Sequence, residues 1–256
     1  MRIGCMLPTF RRDAVAVEFA MQAEDAGLDG VFVFDHLWPM RQPSRPALYG
    51  RLVLAAVAAS TSRIRLGTLV SRVGLIPDEC LFSELSALDV ISDGRLLAGL
   101  GVGDSKSADE HEAYGLPLLP ADERRKSLRQ VAAALGAARV PVWIGAGSRR
   151  TNEVAAAVGA AINLWERPAS EIRRFVTEGR ADKAASEGAV GEVTWGGALP
   201  DGDGESGRLL AELAAAGASW AVVARPGSID SVVRAVKESG LRGGGAGATV
   251  HREGGE

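Results

Sequence analysis

Short apolar runs alternate with longer stretches in which apolar residues return every three or four positions, and this alternation continues along most of the chain. Residues 3–7 read as a buried strand closed by Pro8, after which Ala16, Val17, Ala20 and Ala23 repeat at helical spacing until Gly27 stops the pattern. A second strand over 31–35 leads into a loop holding Pro39, Pro43 and Pro46 and then a helix from about 48 to 60. Strand 65–70 follows, and after Pro77 the positions Leu81, Phe82, Leu85 and Leu88 give a helix with one apolar face. The turn Ile91-Ser92-Asp93-Gly94-Arg95 enters strand 96–101, and the next helix begins near Asp122 with Leu128, Val131, Ala132 and Leu135 aligned. Between them, 105–120 is long for a connection in a compact domain and is a candidate lid.

A fifth strand at 141–144 runs through a glycine-rich turn into a helix near Thr151. Strands at 161–165, 192–196 and 220–224 follow, with helices around 171–183, 209–216 and 229–236. Eight strands alternating with helices, at a unit of roughly 30 residues, predict a (β/α)8 TIM barrel rather than an open doubly wound sheet. The barrel is a short version with few insertions, the loop 195–207 being brief. Residues 1–241 are expected to form one domain, with 242–256 a flexible glycine-rich tail.

Composition narrows the function classes. Apolar residues make up 46% of the chain and charged ones 24%, which is ample material for a core. A formal net charge of −3 provides no basic field for nucleic acid. No run is long enough for a membrane span, and the first residues are too short an apolar run for a signal sequence. The two cysteines, Cys5 and Cys80, make no disulfide framework and have no metal-ligand spacing, so a cytoplasmic location and no metal site are expected.

The chemistry concentrates where the second strand ends, in Gly30-Val31-Phe32-Val33-Phe34-Asp35-His36-Leu37-Trp38-Pro39. A barrel strand delivers its functional side chains at its C-terminal end, which is where Asp35 and His36 fall. The competing reading is local: Asp35 caps a turn and His36 hydrogen-bonds within it. Trp38 either walls a substrate pocket or packs under the proline loop. His111 and His251 read as surface groups.

Four stretches together resemble the bacterial luciferase-like flavin and deazaflavin oxidoreductase superfamily. They are Ala26-Gly27-Leu28-Asp29-Gly30-Val31 leading to Asp35-His36, Thr61-Ser62-Arg63-Ile64-Arg65-Leu66-Gly67-Thr68, Ile91-Ser92-Asp93-Gly94-Arg95, and Pro141-Val142-Trp143-Ile144-Gly145. The resemblance implies a TIM barrel that binds FMN or coenzyme F420 at its strand C-termini. The Asp-His pair is more similar to the deazaflavin branch, which implies an F420-dependent oxidoreductase moving a hydride to or from a small organic molecule. An FMN-dependent monooxygenase and a non-catalytic cofactor-binding barrel are the alternatives.

By the same resemblance, His36 stands near the cofactor ring and Asp35 fixes its tautomer. A second acid comes from the loop after the fourth strand, where Asp104 stands, with Glu110 and Glu112 farther on. Gly145, Ala146, Gly147, Ser148, Arg149 and Arg150 resemble a phosphate-binding turn, with Arg167 and Arg225 as further cations. Trp165 and Trp195 join Trp38 as candidate pocket walls. A homodimer is the implied assembly. The resemblance also places a non-proline cis peptide behind the ring, at Leu69–Val70 or one bond later at Val70–Ser71.

Overall fold

The computed structural model describes residues 1–10, 15–39, 42–103, 107–146, 148–185, 191–202 and 204–241, with backbone alone over 180–185. The chain runs β1 (Arg2–Met6), α1 (Val15–Asp25), β2 (Gly30–Val33), α2 (Gly50–Ser60), β3 (Arg65–Thr68), β4 (Ser71–Arg72) and α3 (Asp78–Ile91). It continues through β5 (Leu96–Gly101), α4 (Ala108–Ala113), α5 (Ala121–Ala137), β6 (Val142–Gly145) and α6 (Arg149–Val158). The last elements are β7 (Ala161–Trp165), α7 (Ala169–Ala185), β8 (Val193–Ala198), α8 (Glu205–Ala215), β9 (Trp220–Ala224) and α9 (Ile229–Glu238).

Every strand pairing is parallel, in the order β3-β2-β1-β9-β8-β7-β6-β5-β4, and a further β3–β5 pairing closes the sheet on itself. β3 and β4 are two halves of one barrel strand, because Leu66 pairs with Leu96 at the start of β5 and Ser71 with Leu100 near its end. The expected eight-position TIM barrel is therefore present. The third strand, read over 65–70, ends at Thr68 and resumes at Ser71, and the Leu69–Val70 peptide between the two halves is cis, as the resemblance implies. α4 was not anticipated: at six residues it is too short to show a helical apolar period. The stretch 242–256 lies outside the described residues.

Alternation along each strand sorts side chains into two cores. Leu66, Leu96, Leu100, Ile144 and Ile162 point outward against the helices. Met6, Phe32, Leu69, Leu97, Trp143, Trp220 and Val222 fill the barrel interior. There Phe32, Trp143 and Trp220 form a triangle with ring centroids 5.2, 5.4 and 5.9 Å apart.

Motifs quoted for the resemblance clamp the N-terminal end of the barrel. The Arg95 guanidinium donates to the carbonyls of Ala58, Thr61 and Ile64, and the Glu24 carboxylate accepts the amides of Ser62, Arg63 and Ile64. Asp29 accepts the Ile3 amide at 2.7 Å. Among the described residues no helix is long and apolar enough to cross a membrane.

The closest backbone approach lies between β3 and β5, where a Cβ on Gly99 would stand 1.9 Å from the Thr68 carbonyl oxygen. Gly99→Ala is predicted to destabilise the protein by roughly 2–3 kcal/mol in urea denaturation, because main chain must move. Gly136→Ala, on α5 with open space around it, should stabilise by about 0.5–1 kcal/mol.

Candidate active site

The C-terminal ends of β2 and β4 and the short helix α4 converge on one buried cluster of charges. Asp35, two residues beyond β2, accepts the Arg72 backbone amide on Oδ2 at 2.5 Å and the Arg72 Nε on Oδ1 at 2.8 Å. Arg72 Nη2 donates to the Asp35 carbonyl at 2.8 Å and to Glu110 Oε2 at 2.7 Å. The Leu37 amide donates to the same Glu110 oxygen at 3.1 Å, and Glu110 Oε1 lies 2.7 Å from His36 Nδ1. Side chains of Arg72, Asp35 and Glu110 are 3%, 5% and 4% exposed, whereas His36 is 18% exposed and faces the barrel mouth's half-buried layer.

Two carboxylates around one guanidinium leave an excess negative charge beside His36. Burial pushes the Glu110 carboxyl up, yet the hydrogen bonds and charges of His36 and Arg72 outweigh it and lower its pKa from 4.5 to about 2. Burial also works against the Arg72 cation, but Asp35 and Glu110 more than offset it and raise its pKa. Tyr114, just beyond α4, is pushed up to about 12, first by burial and then by the charges of Tyr49 and Asp35. Arg72 Nη1 and Ser71 Oγ are buried without a hydrogen-bond partner among the described residues.

Above the aromatic interior, half-buried side chains mark the open end of the barrel: Phe10, Phe34, His36, Val70 and Trp165. β2 and β7 lie diametrically opposite in the strand order, yet Phe34 and Trp165 meet edge to face at 5.7 Å. That contact divides the mouth. On one side Val70 stands over Gly101 and Gly145, where an added Cβ would lie 2.4 Å and 3.4 Å from the Val70 methyl groups. On the other side are Met6, Gly196 and Ala224, with Phe10 stacked on Phe34 at 5.8 Å.

The structure redistributes several expected roles. Asp35 was expected to hold His36; it binds Arg72, and Glu110 holds the imidazole. His111, expected at the surface, is buried on α4, and burial together with Arg72 lowers its proton affinity against the opposing Pro117 carbonyl. Trp165 faces the mouth, but Trp195 does not: it points into the helix layer, with Nε1 donating to the Arg167 carbonyl at 3.0 Å. Trp38 is half-buried in the loop after β2. Asp104 and Gly147 lie outside the described residues.

The expected phosphate turn splits. Ser148 caps α6, its hydroxyl accepting the Thr151 amide at 3.2 Å. Arg149 and Arg167 line a cavity of about 560 Å³ between α6 and α7 with Ser148 and Asn152, and each is paired there with a carboxylate, Arg149 with Glu153 at 3.1 Å and Arg167 with Glu171 at 3.8 Å. Arg150 faces the other side of α6 and pairs with Asp122 at 3.3 Å. Arg225 is exposed beyond β9. Arg72 was missed because the third strand was read as ending at Val70. The resumption at Ser71 and Arg72 follows a backbone break with no local sequence mark.

A closed parallel barrel with charged and aromatic side chains gathered at its C-terminal mouth is the architecture of TIM-barrel enzymes. The family model of luciferase-like monooxygenases matches residues 1–138, and the chain belongs to that family. An F420-dependent glucose-6-phosphate dehydrogenase from Beutenbergia cavernae is 30% identical over 217 residues, covering 79% of this chain and 61% of that protein. The chain thus spans about three fifths of that relative's length. Among solved structures, an F420-dependent secondary alcohol dehydrogenase with an F420-acetone adduct superposes with a TM-score of 0.73 at 14% identity, covering 93% of this chain and 97% of that one. The coenzyme F420-dependent tetrahydromethanopterin reductase of Methanopyrus kandleri gives 0.67 at 14% identity, covering 92% and 96%. These two share the fold.

Arg72→Met strands two buried carboxylates and is predicted to cost about 3–5 kcal/mol in urea denaturation. Because the folded pKa of Glu110 is depressed, its contribution is complete above about 4.5 and is lost as pH falls toward about 2. The stability difference between wild type and Glu110→Gln should therefore narrow across that window, measured by urea denaturation at a series of pH values.

Proposed function

We propose that this chain is an F420-dependent oxidoreductase that interconverts a small alcohol and its carbonyl compound. The observation that carries the reading is a histidine held by a buried ion cluster at the barrel mouth, in a chain of this family whose relatives include F420-dependent dehydrogenases. The residues fit a flat ring. Leu69 and Val70 would back it from the interrupted strand, with Val70 seated over Gly101 and Gly145, whose lack of a side chain makes room for it.

When bound, the deazaflavin would supply a two-electron hydride acceptor and donor. His36 takes the hydroxyl proton as the carbonyl forms, and returns it in the reverse direction. The Phe10–Phe34 side of the mouth suits an apolar substituent on that carbon, and Trp38 and Trp165 add to the wall. Ser148, Arg149 and Arg167 hold the phosphate of the cofactor tail, with the start of α6 adding its backbone dipoles. Val90 and Ile91, neighbouring exposed apolar residues at the end of α3, support a homodimer. Cys5 and Cys80 as free thiols are consistent with a cytoplasmic enzyme.

Calorimetric titration with F420 and with FMN tests the cofactor. F420 should bind more tightly, and Arg149→Ala should weaken it by about 1.5–3 kcal/mol, the worth of a charge-assisted hydrogen bond. Equal or tighter binding of FMN overturns the reading in favour of a flavin monooxygenase. Tight F420 binding with no hydride transfer to or from any of a broad panel of alcohols and carbonyl compounds overturns the catalytic part and leaves a non-catalytic binding barrel.

A further inference from the structure

We infer that Glu110 is the positioning residue that fixes the tautomer of His36, so that Nε2 is the atom that exchanges the proton with substrate. The inference rests on the reading above for its catalytic consequence, but its structural content stands on the hydrogen bonds alone.

The directions of those bonds are determined. Glu110 Oε2 receives two N–H donors, Arg72 Nη2 at 2.7 Å and the Leu37 amide at 3.1 Å. Neither donor can reverse: a guanidinium and a backbone amide have no lone pair to offer. Oε1 is left for His36 Nδ1 at 2.7 Å, and an ionised carboxylate can only accept. Nδ1 must therefore carry hydrogen. In the neutral imidazole the lone pair is then on Nε2, for which no hydrogen-bond partner exists among the described residues. A proton leaving a substrate hydroxyl would go to that lone pair, while the bound cofactor would supply the hydride chemistry. Asp35 and the Arg72 amide and Nε bonds keep the guanidinium from turning away, so the arrangement is anchored on β4 rather than on the loop that supplies Glu110.

The same logic predicts what an amide does in place of the carboxylate. In Glu110→Gln the single carbonyl oxygen is claimed by the two fixed donors. The NH2 group then faces His36 Nδ1 as a donor, Nδ1 must accept, and the hydrogen moves to Nε2. The substitution keeps size and shape but inverts the tautomer, leaving no lone pair for the substrate proton.

The test is nitrogen-15 NMR of histidine-labelled protein without cofactor, at a pH where the ring is neutral. The chain has 3 histidines, and loss of one signal in His36→Asn assigns the ring. Wild type should show Nδ1 bearing hydrogen and Nε2 as the bare nitrogen, and Glu110→Gln should show the reverse. Turnover of Glu110→Gln should fall by about 100- to 10,000-fold, with F420 affinity and KM changed less than about threefold. Wild-type protein carrying hydrogen on Nε2 overturns the inference, even if the Gln variant fails to fold. So does a Gln variant that keeps the wild-type tautomer, or inverts it and still turns over at the wild-type rate. Because the spectra need no cofactor, a failure here counts against Glu110, whereas failure to bind F420 counts against the proposed function alone.

Discussion

A guanidinium buried between two carboxylates is the interaction on which the mouth of this barrel depends. An ion taken out of water loses several kcal/mol of hydration, and Arg72 recovers it only through Asp35 and Glu110 together. Its partners come from the end of β2 and from a six-residue helix in a long loop, 37 and 38 positions away. The helix has little apolar surface of its own to bury, whereas β2 is held in the core by Val31, Phe32 and Val33. The helix's placement follows from satisfying charges, and the network reaches the mouth through His36, which is 18% exposed. Removing any one member would leave a buried charge without its partner, which holds Asp35, Arg72 and Glu110 in one arrangement beside His36.

Below that cluster the barrel is filled by aromatic rings, and above it the rings give way to glycines. Phe32, Trp143 and Trp220 close the interior, so ligands enter from the C-terminal end. One layer up, Gly101 and Gly145 make room for Val70 and Gly196 makes room for Trp165, which meets Phe34 across the barrel. The contact separates the interrupted strand with its cis peptide from the Phe10 side. Both sides of the divided mouth adjoin the strand end that carries His36.

Much of the barrel was legible because each strand and each helix leaves a local period in the residues: four apolar positions before Asp35, or the spacing of Leu128, Val131, Ala132 and Leu135. The site was legible only in part. Asp35 and His36 stand at a strand end, and strand ends are where barrel enzymes keep their chemistry. Which acid holds the imidazole depends on how a distant loop folds back, and no spacing encodes that; Glu110 appeared only as one of several loop carboxylates. The role of Arg72 was hidden by the break after Thr68. Trp195 was misplaced for a different reason: in Val193-Thr194-Trp195-Gly196-Gly197-Ala198 small residues fall on both faces, so the two-residue period does not say which face is inside. The bond from the Asn163 side chain to Thr194 shows that the even-numbered face is the inner one.

The central claim is that His36, held by this cluster, carries the proton during hydride transfer. Single-turnover stopped-flow spectroscopy, following the visible absorbance of bound F420 on mixing with a secondary alcohol, measures that step apart from binding. His36→Ala should slow it by about 100- to 10,000-fold while F420 still saturates the protein at a similar concentration. A rate within about threefold of wild type would contradict the account and leave His36 a structural member of the ion cluster.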